Sequence, residues 1–280
     1  MIGKIVKILY GWIPRRIQKT LGKSQMLRPI RNLILRPNGT FRETSVWVKR
    51  NYLEYQVSFK FYASLKVASK AKQSGIENTL LRNSITLIKN KKELDNKSVV
   101  LDVGANFGYL SLVWAQSIAR NGSVIAFEPN LNVLNSFINS IQTNNLNSII
   151  ELQNLAVGKT EGDIQLFLSS TTSNILPSNI QDRQNTIIEM VTLDAFTTRN
   201  NIEHCDLVKI DVDGLELDIL MGATHLIERF KPIFIVETNG DKRILNFFNQ
   251  YKYQILDMEL NTFQVGNRLP GNIFCIPKSN

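Results

Sequence analysis

The chain has 280 residues, 43% of them hydrophobic and 20% charged, with 15 Gly and 8 Pro. That composition excludes a collagen-like, linker-like or disordered chain and supplies enough apolar residues for a sizeable buried core. Two cysteines, Cys205 and Cys275, are too few for a disulfide framework or a four-cysteine zinc site, and both are expected to be reduced and buried in apolar runs.

The net charge of +9 is unevenly spread: residues 1–92 carry 20 Lys and Arg against 3 Asp and Glu, and residues 93–280 carry 13 against 21. The chain therefore divides by charge into a basic N-terminal extension, residues 1–92, and a slightly acidic domain, residues 93–280. Such an asymmetry suits contact with an anionic surface, or else a solvated basic face. Residues 1–20 place Ile2, Ile5, Val6, Leu9 and Ile13 at helical spacing with Lys4, Lys7, Arg15 and Arg16 mostly off that stripe. Broken by Lys4, Lys7 and Pro14, the segment is too short to span a membrane and lacks the pattern of a cleaved signal. A cytoplasmic chain is expected, with residues 1–23 either in peripheral contact with the inner membrane face or packed on their own domain. Turn residues Arg36-Pro37-Asn38-Gly39 followed by Trp47, Val48, Tyr52, Tyr55 and Val57 indicate a small β region over 33–61, helical spacing returns over 62–90, and Lys89–Lys97 reads as a charged link.

The chemistry begins at Val99. Val99-Val100-Leu101-Asp102-Val103 is a short β-branched run of a strand buried on both faces, and Gly104-Ala105-Asn106-Phe107-Gly108 and a helix over 108–119 follow it. Strand, glycine turn and helix in that order let a backbone approach a ligand closely. A second buried strand, Ser123–Phe127, ends in Glu128-Pro129-Asn130, where an acidic side chain can accept hydrogen bonds from the ribose of an adenosine-containing cofactor. The dinucleotide pattern of three glycines fails after Gly104, because Asn106 and Tyr109 occupy the other two places, and no Lys-Ser/Thr pair closes a phosphate loop. The turn therefore argues against a nicotinamide-dependent dehydrogenase and is not a P-loop.

A helix over 131–143, a third strand over 149–152, a loop over 154–157, a hairpin turn over 158–163 and a strand over 164–168 are expected next. Residues 169–185 are polar and aperiodic and read as a long loop, either a cover for an acceptor or an insertion. Leu207–Ile210 and Ile233–Glu237 read as two further buried strands.

Val100–Gly108, Ala126-Phe127-Glu128-Pro129, Val191-Thr192-Leu193-Asp194, Lys209-Ile210-Asp211-Val212-Asp213-Gly214-Leu215-Glu216 and Lys231-Pro232 through Val236-Glu237 together resemble the FkbM-like family of S-adenosylmethionine-dependent methyltransferases. The resemblance covers about residues 98–240, with Asn272–Pro277 as a closing strand. It implies an α/β fold, a seven-stranded, mostly parallel sheet with helices on both faces, preceded here by a basic helical and β extension. It also implies transfer of a sulfonium methyl group to a hydroxyl of a glycan or natural product, with S-adenosylmethionine as cofactor. On that reading Asp102 lies under the cofactor's amino-acid moiety or caps the turn, and Gly104 and Gly108 keep the turn clear of side chains. Ala105 and Asn106 offer backbone N–H groups and an amide, Glu128 holds the ribose, and Asn154 and Ala156 meet the adenine.

Asp211 lies at the C-terminal end of its strand, where open sheets place ligands, and it is the first candidate to orient an acceptor hydroxyl and take its proton. Glu237, at the same sheet edge, is the second. Asp213 stands where the family has Glu, one methylene shorter. Lys209 shares a face with Asp211 by the strand's period of two, as a partner near the methyl group or as a structural pair, and Glu216 is either a helix-terminal charge or part of the site. No metal is expected from Asp211, Asp213 and Glu216, since adjacent strand positions face opposite ways, and His204 and His225 have no catalytic partner at a recognisable spacing. The rival reading is a non-catalytic protein of this fold whose basic third holds anionic membrane or nucleic acid. Nucleic-acid methylation is not expected, because no Asn-Pro-Pro-Tyr or Pro-Cys element accompanies the fourth strand.

Overall fold

A computed structural model describes residues 41–91, 97–168, 173–174, 184–264 and 266–278. The amphipathic segment 1–23, the Arg36–Gly39 turn and most of the polar stretch 169–183 lie outside the described residues.

The described chain opens with a hairpin, β1 (Glu43–Tyr52) and β2 (Tyr55–Ser64), paired antiparallel from Glu43↔Ser64 to Tyr52↔Tyr55. Its two-residue turn carries Leu53 at φ 55° and no glycine, so the sequence holds no conventional hairpin signal there. The helical spacing over 62–90 forms two helices, α1 (Leu65–Ser74) and α2 (Asn78–Lys91), separated at Gly75, whose φ is 74°. Ser64 ends β2 and starts α1, its hydroxyl accepting from Val67 N–H at 3.4 Å.

Seven strands then build one sheet: β3 (Val99–Val103), β4 (Ser123–Phe127), β5 (Ile150–Gln153), β10 (Leu207–Ile210), β11 (Ile233–Glu237), β12 (Tyr253–Leu256) and β13 (Asn272–Pro277). Their spatial order is β12-β13-β11-β10-β3-β4-β5, and β13 is antiparallel to both its neighbours while the other pairs are parallel. The expected seven-stranded, mostly parallel sheet is thus present. Alternate strand residues feed opposite faces, as a period of two requires. Val100, Val124, Leu207 and Ile235 face one core with α1, α2, α3 (Tyr109–Ala115) and α4 (Leu131–Thr143). Leu101, Val103, Val208 and Val236 face a second core with α5 (Leu193–Arg199), α6 (Glu216–Met221), α7 (Thr224–Phe230) and α8 (Arg243–Gln250). Near-continuous apolar strands are the sequence consequence of this two-sided burial.

The hairpin belongs to the first of these cores. Phe59 and Phe61 pack edge-on against Tyr109 with ring centroids 5.6 and 5.3 Å away, and Tyr52 and Tyr109 share a hydroxyl hydrogen bond of 3.1 Å. The outer edge of β2 is closed by side chains: Ser58 N–H donates to Gln116 Oε1 at 2.8 Å, Lys60 N–H to Asn144 Oδ1 at 2.8 Å and Tyr62 N–H to Ser140 Oγ at 3.0 Å. These acceptors, from the C-terminal ends of α3 and α4 and from within α4, take the place of a third strand for three of the edge's N–H groups. The change of charge near residue 92 therefore does not coincide with a break in the hydrophobic core.

Between β5 and β10 the chain forms a second, smaller sheet of β6 (Ala156–Val157), β7 (Gly162–Leu168), β8 (Ser173–Asn174) and β9 (Gln184–Val191), in the order β6-β9-β7-β8. Two expectations change here. Residues 158–163 do not turn a hairpin between partners, because β6 and β7 both pair with β9, one parallel and one antiparallel. The loop expected over 169–185 has strand at Ser173–Asn174 and from Gln184 onward, a pairing invisible in a polar sequence without alternation. Among the described residues, no helix is long and apolar enough to cross a membrane.

Candidate functional site

In strand order, the sheet reverses direction of growth at β3, with β4 on one side and β10 on the other, and ligands of open α/β sheets bind at the C-terminal ends of strands beside such a point. The residues that gather there are Asp102, Gly104 and Asn106 from β3 and its turn, Glu128 after β4, Lys209 from β10 and Asp211 just after it, and Glu237 at the end of β11 with Asn239 beyond it.

Lys209 and Asp102 are direct register partners on adjacent parallel strands. Both are buried, at 4% and 0% exposure. Lys209 Nζ lies 3.4 Å from Asp102 Oδ1 and 3.5 Å from Asp211 Oδ2, and it donates to the Gly104 carbonyl at 2.9 Å. Ser111 on α3 donates to Asp102 Oδ2 at 2.5 Å. Burial works against the ammonium charge, yet the Asp102 and Asp211 carboxylates prevail and hold Lys209 above its ordinary value. The shared face expected for Lys209 and Asp211 is present, and Lys209 ties β3, the glycine turn and the loop after β10 together. Its burial and its bonds commit it to Asp102, Asp211 and the glycine turn.

The glycine turn has a different basis from the one expected. A Cβ on Gly104 would lie 2.0 Å from the Asp211 carbonyl oxygen, and one on Gly108 would lie 2.0 Å from the Phe137 ring; both residues have positive φ, 78° and 76°. Protein atoms already fill the space that side chains would take. The Ala105 N–H donates to the Phe127 carbonyl at 3.0 Å, and the Asn106 N–H to Glu128 Oε2 at 2.7 Å. Neither backbone N–H is therefore the ligand donor that the turn's sequence suggested, because the neighbouring strand β4 and its carboxylate claim both. The Asn106 side chain turns inward too, its Oδ1 accepting from Phe107 N–H at 2.9 Å.

Glu128 is 5% exposed and receives N–H bonds from Asn106 on Oε2 and from Asn130 on Oε1, at 2.7 and 2.8 Å. Burial pushes its carboxyl up to about 7 against those two donors. The sign for stability follows: the folded state holds the proton more tightly than the unfolded chain, so this contribution is complete below about pH 4.3 and is lost as the pH rises through about 7. Urea unfolding at pH 5.5 and pH 8 should show the wild type losing ~2 kcal/mol more over that interval than Glu128→Gln. Equal slopes in the two proteins would contradict the assignment.

Of the two expected adenine contacts, Asn154 spends its amide on the Glu128 carbonyl at 3.1 Å. Ala156 lies in a strand and not in the expected loop: it belongs to β6, is 7% exposed and packs with Leu166 and Ile188. The residues there pair with β9, a partner more than thirty positions away that local sequence does not reveal.

Asp211 and Glu237 do meet. They follow the register partners Ile210 and Val236 of adjacent parallel strands, and burial, followed by the charge of the neighbouring Asp211 carboxylate, pushes Glu237 up to about 7. Asn239 donates to Glu237 Oε2 at 3.3 Å and to Glu216 Oε1 at 2.9 Å. Glu216 is 2% exposed and accepts from Val212 and Gly214 N–H at 3.3 and 3.1 Å. It is the clasp of the 211–215 loop. Asp213, in that loop, is exposed with φ 60°, outside the carboxyl pair. Asp194 of the Thr192-Leu193-Asp194 motif caps α7, accepting from Leu226 and His225 N–H at 2.8 and 3.0 Å.

Ser111 and Asn239 were missed in the sequence. A serine on the buried face of the apolar helix Tyr109–Ala115 was the available signal for the first. The second had none, since its two partners come together only in the folded sheet. Cys205 and Cys275 are free and buried, and among the described residues no group of three His, Cys, Asp or Glu side chains is placed to hold a metal ion.

Solved structures similar to this one include a methyltransferase FkbM from Methylobacillus flagellatus, 14% identical with a TM-score of 0.46, over 75% of this chain and 65% of that one. This chain thus spans just under two thirds of that protein. A precorrin-6y C5,15-methyltransferase from Geobacter metallireducens is 13% identical with a TM-score of 0.40, over 73% and 89% of the two chains. An S-adenosylmethionine-dependent O-methyltransferase from Thermotoga maritima is 12% identical with a TM-score of 0.39, over 71% and 66%. No curated protein matches the chain in sequence. The profile of the methyltransferase FkbM domain matches residues 102–255, from the buried aspartate of β3 to the middle of β12 and so across every carboxylate of the site, and the chain belongs to that family.

Proposed function

We propose that the protein is an S-adenosylmethionine-dependent O-methyltransferase acting on a hydroxyl of a glycan or other polyhydroxylated natural product. The observation that carries this reading is the juxtaposition of two carboxyl groups, Asp211 and Glu237, just past the register partners Ile210 and Val236 at the C-terminal edge of β10 and β11.

The residues present fit the cofactor. Glu128 is a buried carboxyl at the end of β4, suited to ribose hydroxyls, and Asp102 Oδ1 is buried without a hydrogen-bond partner, next to the turn where an amino-acid moiety would lie. With the Ala105 and Asn106 amides engaged in the protein, carboxylates and not a nest of backbone N–H groups would hold it. When bound, the cofactor supplies an electrophilic methyl group on a sulfonium. The protein's own part is then to place a hydroxyl in line and to take its proton, and positioning accounts for much of the rate. Asp211, set by Lys209 below it, is placed to orient the hydroxyl. Glu237, raised to about 7, is a better match for a proton arriving near neutral pH than an ordinary carboxylate.

Titration with S-adenosylhomocysteine tests the cofactor without an acceptor. Micromolar binding by the wild type, weakened about tenfold or more in Glu128→Ala, is expected, as two lost charge-assisted hydrogen bonds imply. Asp211→Asn and Glu237→Gln should still bind it, while losing ~10²–10⁴-fold in methyl transfer to an accepted hydroxyl. A folded wild type that fails to bind would overturn the proposal.

A further inference from the structure

Asn239 stands between the two carboxylates that define the edge of the site. Its Nδ2 donates at 2.9 Å to Glu216 Oε1 and at 3.3 Å to Glu237 Oε2. Glu216 Oε1 also receives the Val212 and Gly214 N–H groups, so one oxygen gathers three donors from two loops. The loop after β10, which carries Asp211, and the end of β11, which carries Glu237, are thereby joined through a single side-chain amide. We infer that Asn239 is a positioning residue that holds Glu237 beside Asp211 and stabilises its ionised form, an inference that rests on the acceptor-site reading of that pair.

The backbone supports the assignment. Asn239 has φ 47°, a left-handed conformation that asparagine tolerates better than most residues, and it follows Thr238, whose hydroxyl donates to the Pro270 carbonyl at 2.6 Å and whose N–H donates to the Gly271 carbonyl at 2.7 Å. The turn is anchored independently of the Asn239 amide, so the side chain is free to serve the carboxylates. The charged groups that face Glu237 are Asp211 from the loop after β10 and Glu216 from the start of α6, both of which oppose its ionisation; the Asn239 donor favours it. Lys209 is committed to Asp102 and Asp211.

The full-length chain labelled with ¹³C at glutamate carboxyls can be titrated by NMR, with the Glu237 signal assigned by its loss in Glu237→Gln. Asn239→Gly removes the amide while keeping a residue at ease with positive φ. In the wild type Glu237 should be about half ionised at pH 7, and in Asn239→Gly only about one quarter, from a rise of about half a pH unit in its midpoint. Glu216→Gln retains an accepting oxygen but removes a charge, and it should move the Glu237 midpoint the other way. Because a purely structural role would leave the Glu237 midpoint where it is, an unchanged or lowered midpoint in Asn239→Gly overturns the inference. S-adenosylhomocysteine binding by the same samples reads separately on the methyltransferase reading. Failure of that binding with the expected NMR shifts would leave Asn239 positioning a carboxyl pair that serves some other reaction.

Discussion

Lys209→Met is expected to destabilise the fold by about 3–5 kcal/mol, the usual consequence of stripping one partner from a buried ion pair. The reason lies in Asp102: it is 0% exposed, its Oδ1 has no hydrogen bond, and its nearest compensating charge is the Lys209 ammonium at 3.4 Å. Without that charge, the ionised Asp102 carboxylate remains buried with Ser111 as its hydrogen-bond donor. Methionine fills a similar volume, so the loss reports charge and not a cavity. Urea denaturation of Lys209→Met, Asp102→Asn and the double variant forms a cycle. The double variant should recover a large part of the single-variant loss, because an uncharged pair leaves no orphan. A Lys209→Met protein with the wild-type midpoint would show that the pair contributes nothing.

Gly104→Ala should be nearly as damaging, at about 2–4 kcal/mol, and should abolish S-adenosylhomocysteine binding as well. A methyl group there would sit 2.0 Å from the Asp211 carbonyl oxygen, at φ 78°, so conformational strain and overlap act together. The contact cannot be relieved by a side-chain rotation, since the opposing atom is backbone and its residue is hydrogen-bonded through its own N–H to Val103 at 3.2 Å. Relief requires β3 and β10 to part at their C-terminal ends, which would displace Asp211 from Lys209 and from Glu237. Thermal unfolding and calorimetric titration of the same sample would separate the two effects. A variant that melts with the wild type and still binds would mean that the turn yields at little cost.

These two positions show how differently the site could be read before the fold was known. Both were singled out, yet for reasons the structure revises. Gly104 matched a ligand-binding turn in sequence, and its φ bears that geometry out, but the atom that forbids a side chain comes from Asp211, more than one hundred residues later. Lys209 was paired with Asp211 by the alternation of a strand, correctly. Its closer commitment to Asp102 depends on β10 lying next to β3 in a particular register, and that is a property of the sheet.

By itself the sequence determined the parallel sheet's strands, their buried character and the carboxylates at their ends. Hydrophobic runs bounded by glycine and acidic residues are local consequences of burial on two faces, and four of the five family motifs lie on those same runs. The β1–β2 hairpin's attachment to the core, the small sheet that takes in Ala156, the engagement of the Ala105 and Asn106 amides and the Glu216–Asn239–Glu237 chain were decided only by tertiary structure. Each rests on a hydrogen bond or a packing contact between segments far apart in sequence, and a polar side chain carries no mark of its eventual partner until the folding of the apolar strands has brought the two together.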